Sequence, residues 1–327
     1  LFLGAVAMAV LGRRVQRALE IAEWMMLAWM LVLLVVLGVV YVPGALWSML
    51  AWSFLGRPVW EPAWLPVPAA DRALDWALVT GFAAYSGAGG TVNAMLTYWL
   101  RDKGFGMAGT VGAQPTQAGG QTVLLQREGV IFPPNEANLA KWREWWRYLR
   151  ADLSSLWTAA CLIGMGLPVL LALDAVPRGT DMSGVGGAAV FARELSRRYG
   201  AMLWVPALLT ALWIFVSTQI GIVESFARHV TEMLWTGGVR PAGAGIGWVY
   251  YPVLGLLVAM GGAAMRVAPP LTVILVGANV AALNFAVLSV HTVSLNRALL
   301  PAALQPPRWR EAVVLLGGLG FAGLLAR

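Results

Sequence analysis

Cysteine and histidine are almost absent from this sequence. Its 327 residues include one cysteine, Cys161, and two histidines, His229 and His291. A single cysteine excludes an intrachain disulfide and a cysteine-based zinc or iron–sulfur site. Two histidines exclude a multi-histidine metal site. Charged residues are also scarce, at 12% of the chain against about 25% in soluble domains.

The common catalytic motifs are missing as well. The chain contains no His-Glu-x-x-His, Gly-x-Ser-x-Gly or Walker sequence. The glycine-rich run 87–90 follows no strand pattern, so it is not a dinucleotide-binding loop. We therefore expect neither enzymatic activity nor a bound cofactor.

Long apolar stretches are what the sequence does contain. Hydrophobic residues make up 59% of the chain, and an apolar run of about 20 residues can span a hydrocarbon core about 30 Å thick. These runs predict an all-α, polytopic membrane protein that forms a single transmembrane domain over 1–327. Prolines 269 and 270 separate the fifth and sixth spans. The seven full candidate spans are roughly 20–43, 76–99, 153–173, 201–226, 246–266, 269–293 and 311–326.

The first apolar run, 1–11, is too short to span a membrane. It has neither the basic start nor the small-residue cleavage site of a signal peptide. We interpret it as the end of a helix whose beginning is missing. The chain is therefore expected to be a fragment, and its natural partners include the missing N-terminal helices.

Arginine and lysine concentrate in alternate connections between the spans. They are frequent before the first full span, in 100–152 and after 293, and sparse on the opposite side except in 174–200. Such bias orients membrane proteins, with the richer side in the cytoplasm. We expect a multi-pass protein of the cell membrane, such as a bacterial inner membrane. The net charge of +7 then reflects orientation and not nucleic-acid binding.

The cytoplasmic connection 100–152 has structure of its own. Residues 121–132 alternate enough to predict a short hairpin, and Asn135 is positioned to cap a helix that starts at Glu136. Tryptophan, tyrosine, lysine and arginine interleave along that helix. Such a mixture is typical of the headgroup layer, so we expect an interfacial amphipathic helix with membrane lipid as a partner.

The second full span contains three glycines within four residues. Each glycine costs a helix about 1 kcal/mol relative to alanine. An unwound hinge would use them, because freed carbonyls can coordinate a substrate near the midplane. Close packing against a neighbouring helix is the alternative. The hinge hypothesis assigns site residues Ser86, Gly87, Ala88, Gly89, Gly90, Thr91 and Asn93.

Polar residues in two other spans are further candidates. Gln219 and Asn279 are possible oxygen donors, as is Asn284. Polar groups at membrane depth usually face a cavity or a partner. They also often serve only as interhelical hydrogen bonds, and the sequence leaves both roles open.

Several stretches resemble the Nramp metal-ion transporter family. The run 15–42 resembles the family's fifth helix, and the broken span at 86–93 falls where its discontinuous sixth helix lies. Residues 208–233, with Ser217-Thr218-Gln219, resemble its eighth helix. The run from Asn93 to Met107 is similar to a divergent, Nramp-like bacterial branch.

The resemblance implies a partial LeuT-type inverted-repeat fold, from the end of helix four through helix eleven. The family's Asp-Pro-Gly-Asn motif would lie on a missing helix. The family's Met-Pro-His is replaced here by Gly90-Thr91-Val92 if Asn93 matches the Asn that follows it. The soft thioether and the imidazole are thereby lost.

These implications predict a secondary transporter of a divalent metal cation that works by alternating access, with a proton as the candidate coupling ion. The expected metal ligands are Gly90, Thr91, Asn93 and Gln219. Oxygen ligands favour Mg²⁺ or Mn²⁺ over Fe²⁺. Two alternatives stay open: a transporter of a small organic solute such as an amino acid, and a non-transporting membrane sensor or scaffold.

Overall fold

The computed structural model describes residues 13–55, 75–86, 96–97, 100, 104–107, 131–177, 179–184, 186–239 and 245–327. Within these ranges the chain is helical and contains no strand. The α-helices are α1 (Arg13–Tyr41), α2 (Gly44–Phe54), α3 (Trp76–Tyr85), α4 (Glu136–Ala151), α5 (Thr158–Ala175), α6 (Gly187–Tyr199), α7 (Trp204–Thr236), α8 (Gly247–Val267), α9 (Pro270–Leu299) and α10 (Arg308–Leu325).

Five helical segments in the described residues are long and apolar enough to cross a membrane. In the most apolar 18-residue stretch of each segment, only 11% to 22% of the residues are buried within the protein. Such an apolar exterior suits lipid and not water. The five segments are compatible with a multi-pass membrane protein; they are Glu23–Tyr41, Glu136–Ala175, Ala201–Thr236, Gly247–Val267 and Pro270–Leu299.

Two of the seven predicted spans are not among the five. The span predicted at 76–99 is represented by α3, which has ten residues, and the predicted hinge residues beyond Ser86 lie outside the described ranges. The span predicted at 311–326 corresponds to α10, which has 18 residues and begins with the charged sequence Arg-Trp-Arg-Glu. The first apolar run, 1–11, also lies outside the described residues.

The helix predicted after Asn135 is confirmed and is longer than expected. Asn135 Oδ1 accepts a hydrogen bond of 2.9 Å from the backbone N–H of Asn138. The helix then continues from α4 through a π-helical turn, Asp152–Trp157, into α5 without interruption. Its 40 residues extend about 60 Å, twice the thickness of a hydrocarbon core. Part of this helix must therefore lie outside the hydrocarbon. The hairpin predicted at 121–132 falls outside the described residues except for Ile131 and Phe132, which are neither helix nor strand.

Helices α1, α2, α5, α6 and α7 form the N-terminal helix group. Pro43 separates α1 from α2, because proline cannot continue a helix. Leucines from four of these helices meet in one buried cluster, in which Leu170 and Leu171 are wholly inaccessible. Its other leucines are Leu37, Leu46 and Leu195.

Helix α6 corrects the sequence analysis, which treated 174–200 as a connection. The helix has no long apolar run, but Ala192 and Leu195 face the core and are buried. Its polar face carries ion pairs. Glu194 is buried and accepts from Arg193 at 3.1 Å and Arg197 at 3.4 Å. These ion pairs lie within α6, and the contact of the helix with the core is made by Ala192 and Leu195.

Helices α3, α9 and α10 form the C-terminal helix group. Small residues lie at their contacts: Ala84, Ala281 and Ala282 are buried together. Phe285 and Phe321 stack with centroids 5.0 Å apart. Helix α8 packs on α7 and also touches α9, so it lies between the two groups.

Gly318 sets the distance between α9 and α10. A Cβ at this position would lie 1.9 Å from Ser289 Oγ and 2.7 Å from Ser289 Cβ. Rotation of the hydroxyl would relieve only the first contact, so the helices would have to separate. We expect Gly318→Ala to destabilise the protein by about 1–3 kcal/mol, measured by thermal unfolding in detergent.

Gly317→Ala is the matched control, because a Cβ there meets nothing within 4 Å. Alanine favours helix at both sites, so the control should be neutral or stabilising. Adding Ser289→Gly to Gly318→Ala should restore much of the loss. If both alanine variants had the same thermal stability, the contact between Gly318 and Ser289 would not set the helix spacing.

Tyr199 ties the end of α6 to the end of α5. Its hydroxyl donates to Asp174, whose side chain is buried and also receives Arg198 Nε at 3.4 Å. Burial and this hydrogen bond raise the pKa of Tyr199 above its ordinary value. The hydrogen bond between Tyr199 and Asp174 therefore stabilises the folded protein fully below the unfolded-state pKa of tyrosine, about 10. This stabilisation is lost only as the pH rises through the higher pKa of Tyr199 in the folded state.

Tyr199→Phe should cost about 2 kcal/mol of unfolding free energy at neutral pH, since a hydrogen bond to a charged group is removed. The measurement is chemical denaturation at pH 7 and pH 9, where the cost should be the same. A cost that vanished by pH 9 would mean that the hydroxyl already ionises there and that the raised pKa is wrong.

Candidate functional site

Helix α3 is half the length needed to cross a membrane. Ten residues extend about 15 Å, against a core of about 30 Å. Asp75 caps its start by accepting from Leu78 N at 3.1 Å. At its end, Ser86 N–H donates to Phe82 O at 2.9 Å, and Ser86 Oγ donates to Ala83 O at 2.8 Å. The helix therefore ends immediately before the predicted hinge.

The remaining predicted hinge residues lie outside the described part of the chain. They are Gly87, Ala88, Gly89, Gly90, Thr91 and Asn93. Among the predicted hinge residues, Ser86 alone has a described position. Its hydroxyl turns back onto its own helix, so it offers its oxygen only as an acceptor.

The described half-helix is fixed to both of its neighbours. Thr80 is almost wholly buried, and its hydroxyl donates to Leu324 O of α10 at 3.3 Å. A Cβ at Gly81 would lie 3.3 Å from Ala278 Cβ of α9. At Gly81, the small residue therefore serves close helix packing. This arrangement holds the end of α3 in a defined place.

Asn279 joins α9 to α3. Its Nδ2 donates to Ala77 O at 3.0 Å and to Leu275 O at 2.8 Å. The side chain thus makes an interhelical hydrogen bond, one of the two roles that the sequence left open. Both bonds use the nitrogen, so Oδ1 keeps its lone pairs for another partner. The role of Asn279 as a ligand stays a prediction.

Gln219 belongs to the other helix group. It is half-buried on α7, which packs against α1, α6 and α8. Asn279 lies on α9, which packs mainly against α3 and α10. The described structure therefore brings Asn279 to the half-helix and leaves Gln219 on a helix that packs elsewhere. Asn284 is half-buried and His291 is exposed on α9.

Two buried hydroxyls on α7 were missed by the sequence analysis. Ser225 and Thr231 are 4% and 2% exposed, and within the described residues their oxygens have no hydrogen-bond partner. Leaving a buried hydroxyl unpaired costs about 1–3 kcal/mol. The apolar run that predicted this helix ended at 226, before Thr231, so hydropathy alone could not mark it.

Acidic, histidine and cysteine side chains do not cluster in the described ranges, where no three of them could hold a metal ion. A cation site built there would use amide, hydroxyl or carbonyl oxygens. Comparison of the chain with protein-family models, curated proteins and solved structures finds no match. The resemblance to the Nramp family therefore stays a prediction.

Thr231→Val tests whether the buried hydroxyl has a structural role. Valine has nearly the same shape, and removal of an unpaired polar group should leave stability unchanged or raise it. Thermal unfolding in detergent is the measurement. A large loss of stability would show that the hydroxyl has a structural partner.

Thr210→Val is the matched control on the same helix. The Thr210 hydroxyl is buried but paired, since it accepts from Trp29 Nε1 at 3.2 Å and donates to Pro206 O at 2.8 Å. This variant should lose about 1–3 kcal/mol. The contrast between the two threonines separates unpaired from paired hydroxyls.

Proposed function

We propose that this chain belongs to a secondary transporter for a divalent cation in a cell membrane. Support for the membrane comes from five long apolar segments whose residues mostly face outward. Each of these segments is helical, the form that lets most backbone groups find partners within the segment, as hydrocarbon requires.

The half-length of α3 carries the proposal. A helix that ends at membrane depth exposes backbone carbonyls, which is tolerated only where they face protein or a polar cavity. Discontinuous helices of this kind bind ions and substrates in transporters. We place the substrate beside the end of α3, with carbonyls from Gly87 to Gly90 and oxygens of Thr91 and Asn93 as ligands. Gln219 and Asn279 are secondary ligands.

The separation into two helix groups supports alternating access. The C-terminal helix group holds α3 through the bonds of Thr80 and Asn279, so α3 should move with α9 and α10. The N-terminal helix group has its own leucine core. In this proposal one group rocks against the other, in a partial LeuT-type arrangement. Helix α8, which contacts both groups, lies between them.

The ligand chemistry selects the cation. The candidate residues offer oxygen atoms and no sulfur or imidazole, and oxygen ligands suit Mg²⁺ and Mn²⁺ better than Fe²⁺. A proton is the candidate coupling ion.

Uptake into liposomes tests the proposal on Asn279. The protein, expressed with its natural flanking sequence, should take up Mg²⁺ or Mn²⁺ in preference to Fe²⁺. Asn279→Leu removes both the ligand oxygen and the bond to α3, so uptake should fall at least tenfold. Asn279→Asp keeps the oxygens and should retain more uptake than the leucine variant.

Asn284→Leu is the control, because Asn284 is a half-buried asparagine on the same helix for which we propose no ligand role. Folding of each variant is checked by size-exclusion chromatography. Folded protein that took up no cation would contradict the proposal and favour an organic solute. Equal loss in both leucine variants would remove Asn279 from the site.

A further inference from the structure

The amphipathic helix α4 and the turn between α9 and α10 enclose a basic cavity of about 610 Å³. Arg310 of α10 lies over the ring of Trp146 of α4, 5.2 Å from its centroid. This cation–π contact joins two elements far apart in sequence. The polar side of the cavity is formed by Arg143, Arg150 and Arg310 with Thr292, Asn296 and Gln305.

The charge of this cavity is positive. Its lining includes three arginines and one carboxylate, that of Glu311. Glu311 is already paired with Arg297, whose Nε donates to both carboxylate oxygens at 3.1 Å. Arg150 uses its Nε on Trp146 O at 3.3 Å, which leaves its two terminal nitrogens as donors. Planar guanidinium groups gathered in this way suit a phosphate group.

An apolar cavity of about 580 Å³ adjoins the basic one. Trp142 and Trp146 line both cavities. The remaining wall of the apolar cavity is mostly apolar and includes Phe105, Trp145, Leu149 and Leu156, with Asp152 and Ser155 among its few polar residues. A ligand that occupied both cavities would have an anionic head and a hydrocarbon tail.

The position of the paired cavities matches a membrane surface. The continuous helix Glu136–Ala175 is too long to lie wholly in hydrocarbon. Its charged half, α4, is the part that must lie outside. The basic cavity also meets the end of α9 and the prolines 306 and 307 that precede α10. We therefore expect both cavities, which α4 lines, at the headgroup layer.

We propose that these paired cavities form a binding site for one anionic phospholipid. The phosphate lies among Arg143, Arg150 and Arg310, and an acyl chain lies against Trp142, Trp146 and Phe105. The proposal is independent of the transported solute. It differs from general interfacial attraction because it names a single site with defined walls.

Native mass spectrometry of the purified full chain tests the site, with phosphatidylglycerol, phosphatidylcholine and inorganic phosphate as probes. Phosphatidylglycerol should bind with a stoichiometry of one and remain bound at least tenfold better than phosphatidylcholine. Arg310→Gln and Arg143→Gln should each weaken binding about tenfold, because each removes a charge-assisted hydrogen bond to the phosphate. Arg310→Lys should recover only part of the loss, because lysine lacks the planar fork.

Arg147→Gln is the matched control. Arg147 lies on the same helix, is 73% exposed and pairs with Glu144 at 3.9 Å. Its loss removes the same charge from the surface and should leave binding unchanged. If Arg147→Gln and Arg143→Gln weakened binding equally, attraction would be a general surface effect and the site would be rejected.

The other probes separate the two parts of the ligand. Inorganic phosphate that bound as tightly as phosphatidylglycerol would reject the acyl-chain cavity. Equal retention of phosphatidylcholine and phosphatidylglycerol would reject the phosphate contact. If Arg310→Gln fails to fold, Arg143→Gln still tests the site, because Arg143 takes no part in the contact between Arg310 and Trp146.

Discussion

Hydrocarbon offers the peptide backbone no hydrogen-bond partner, and this constraint shapes most of the protein. It accounts for the long helices in the described residues. It also makes each helix end significant. In the proposed transporter the end of α3 at Ser86 lies at membrane depth, where it would have to face protein or a polar cavity. The proposed transport site follows from that requirement.

The two helix groups pack their helices through different kinds of contact. In the C-terminal helix group the helices approach closely through small residues such as Gly81 and Gly318. Such contacts gain dispersion energy where lipid supplies no hydrophobic driving force. The N-terminal helix group instead buries leucines beneath α6, whose outer face carries arginine–carboxylate pairs. That arrangement resembles the core of a soluble protein and suits a surface that meets water.

The continuous helix Glu136–Ala175 links the two groups. Its second half packs in the N-terminal helix group, and its first half meets α10 through Trp146 and Arg310. A lipid held at this contact would lie between parts that the proposed mechanism moves relative to each other. The proposed lipid site lies between α4, α9 and α10, whereas α3 contacts α9 and α10.

Features that depend on local chemistry follow from the sequence alone. Apolar runs determined the helical class and most spans, Asn135 determined the start of α4, and Pro269 and Pro270 determined the break between α8 and α9. The remaining features follow from the tertiary structure, because each of them depends on residues distant in the chain. Helix α6 is stabilised by the core on which it packs. The interhelical hydrogen bond of Asn279 requires Ala77, about 200 positions away in the chain. The basic cavity forms only where α4 lies beside α10. A pattern along one segment cannot specify which surface that segment will meet.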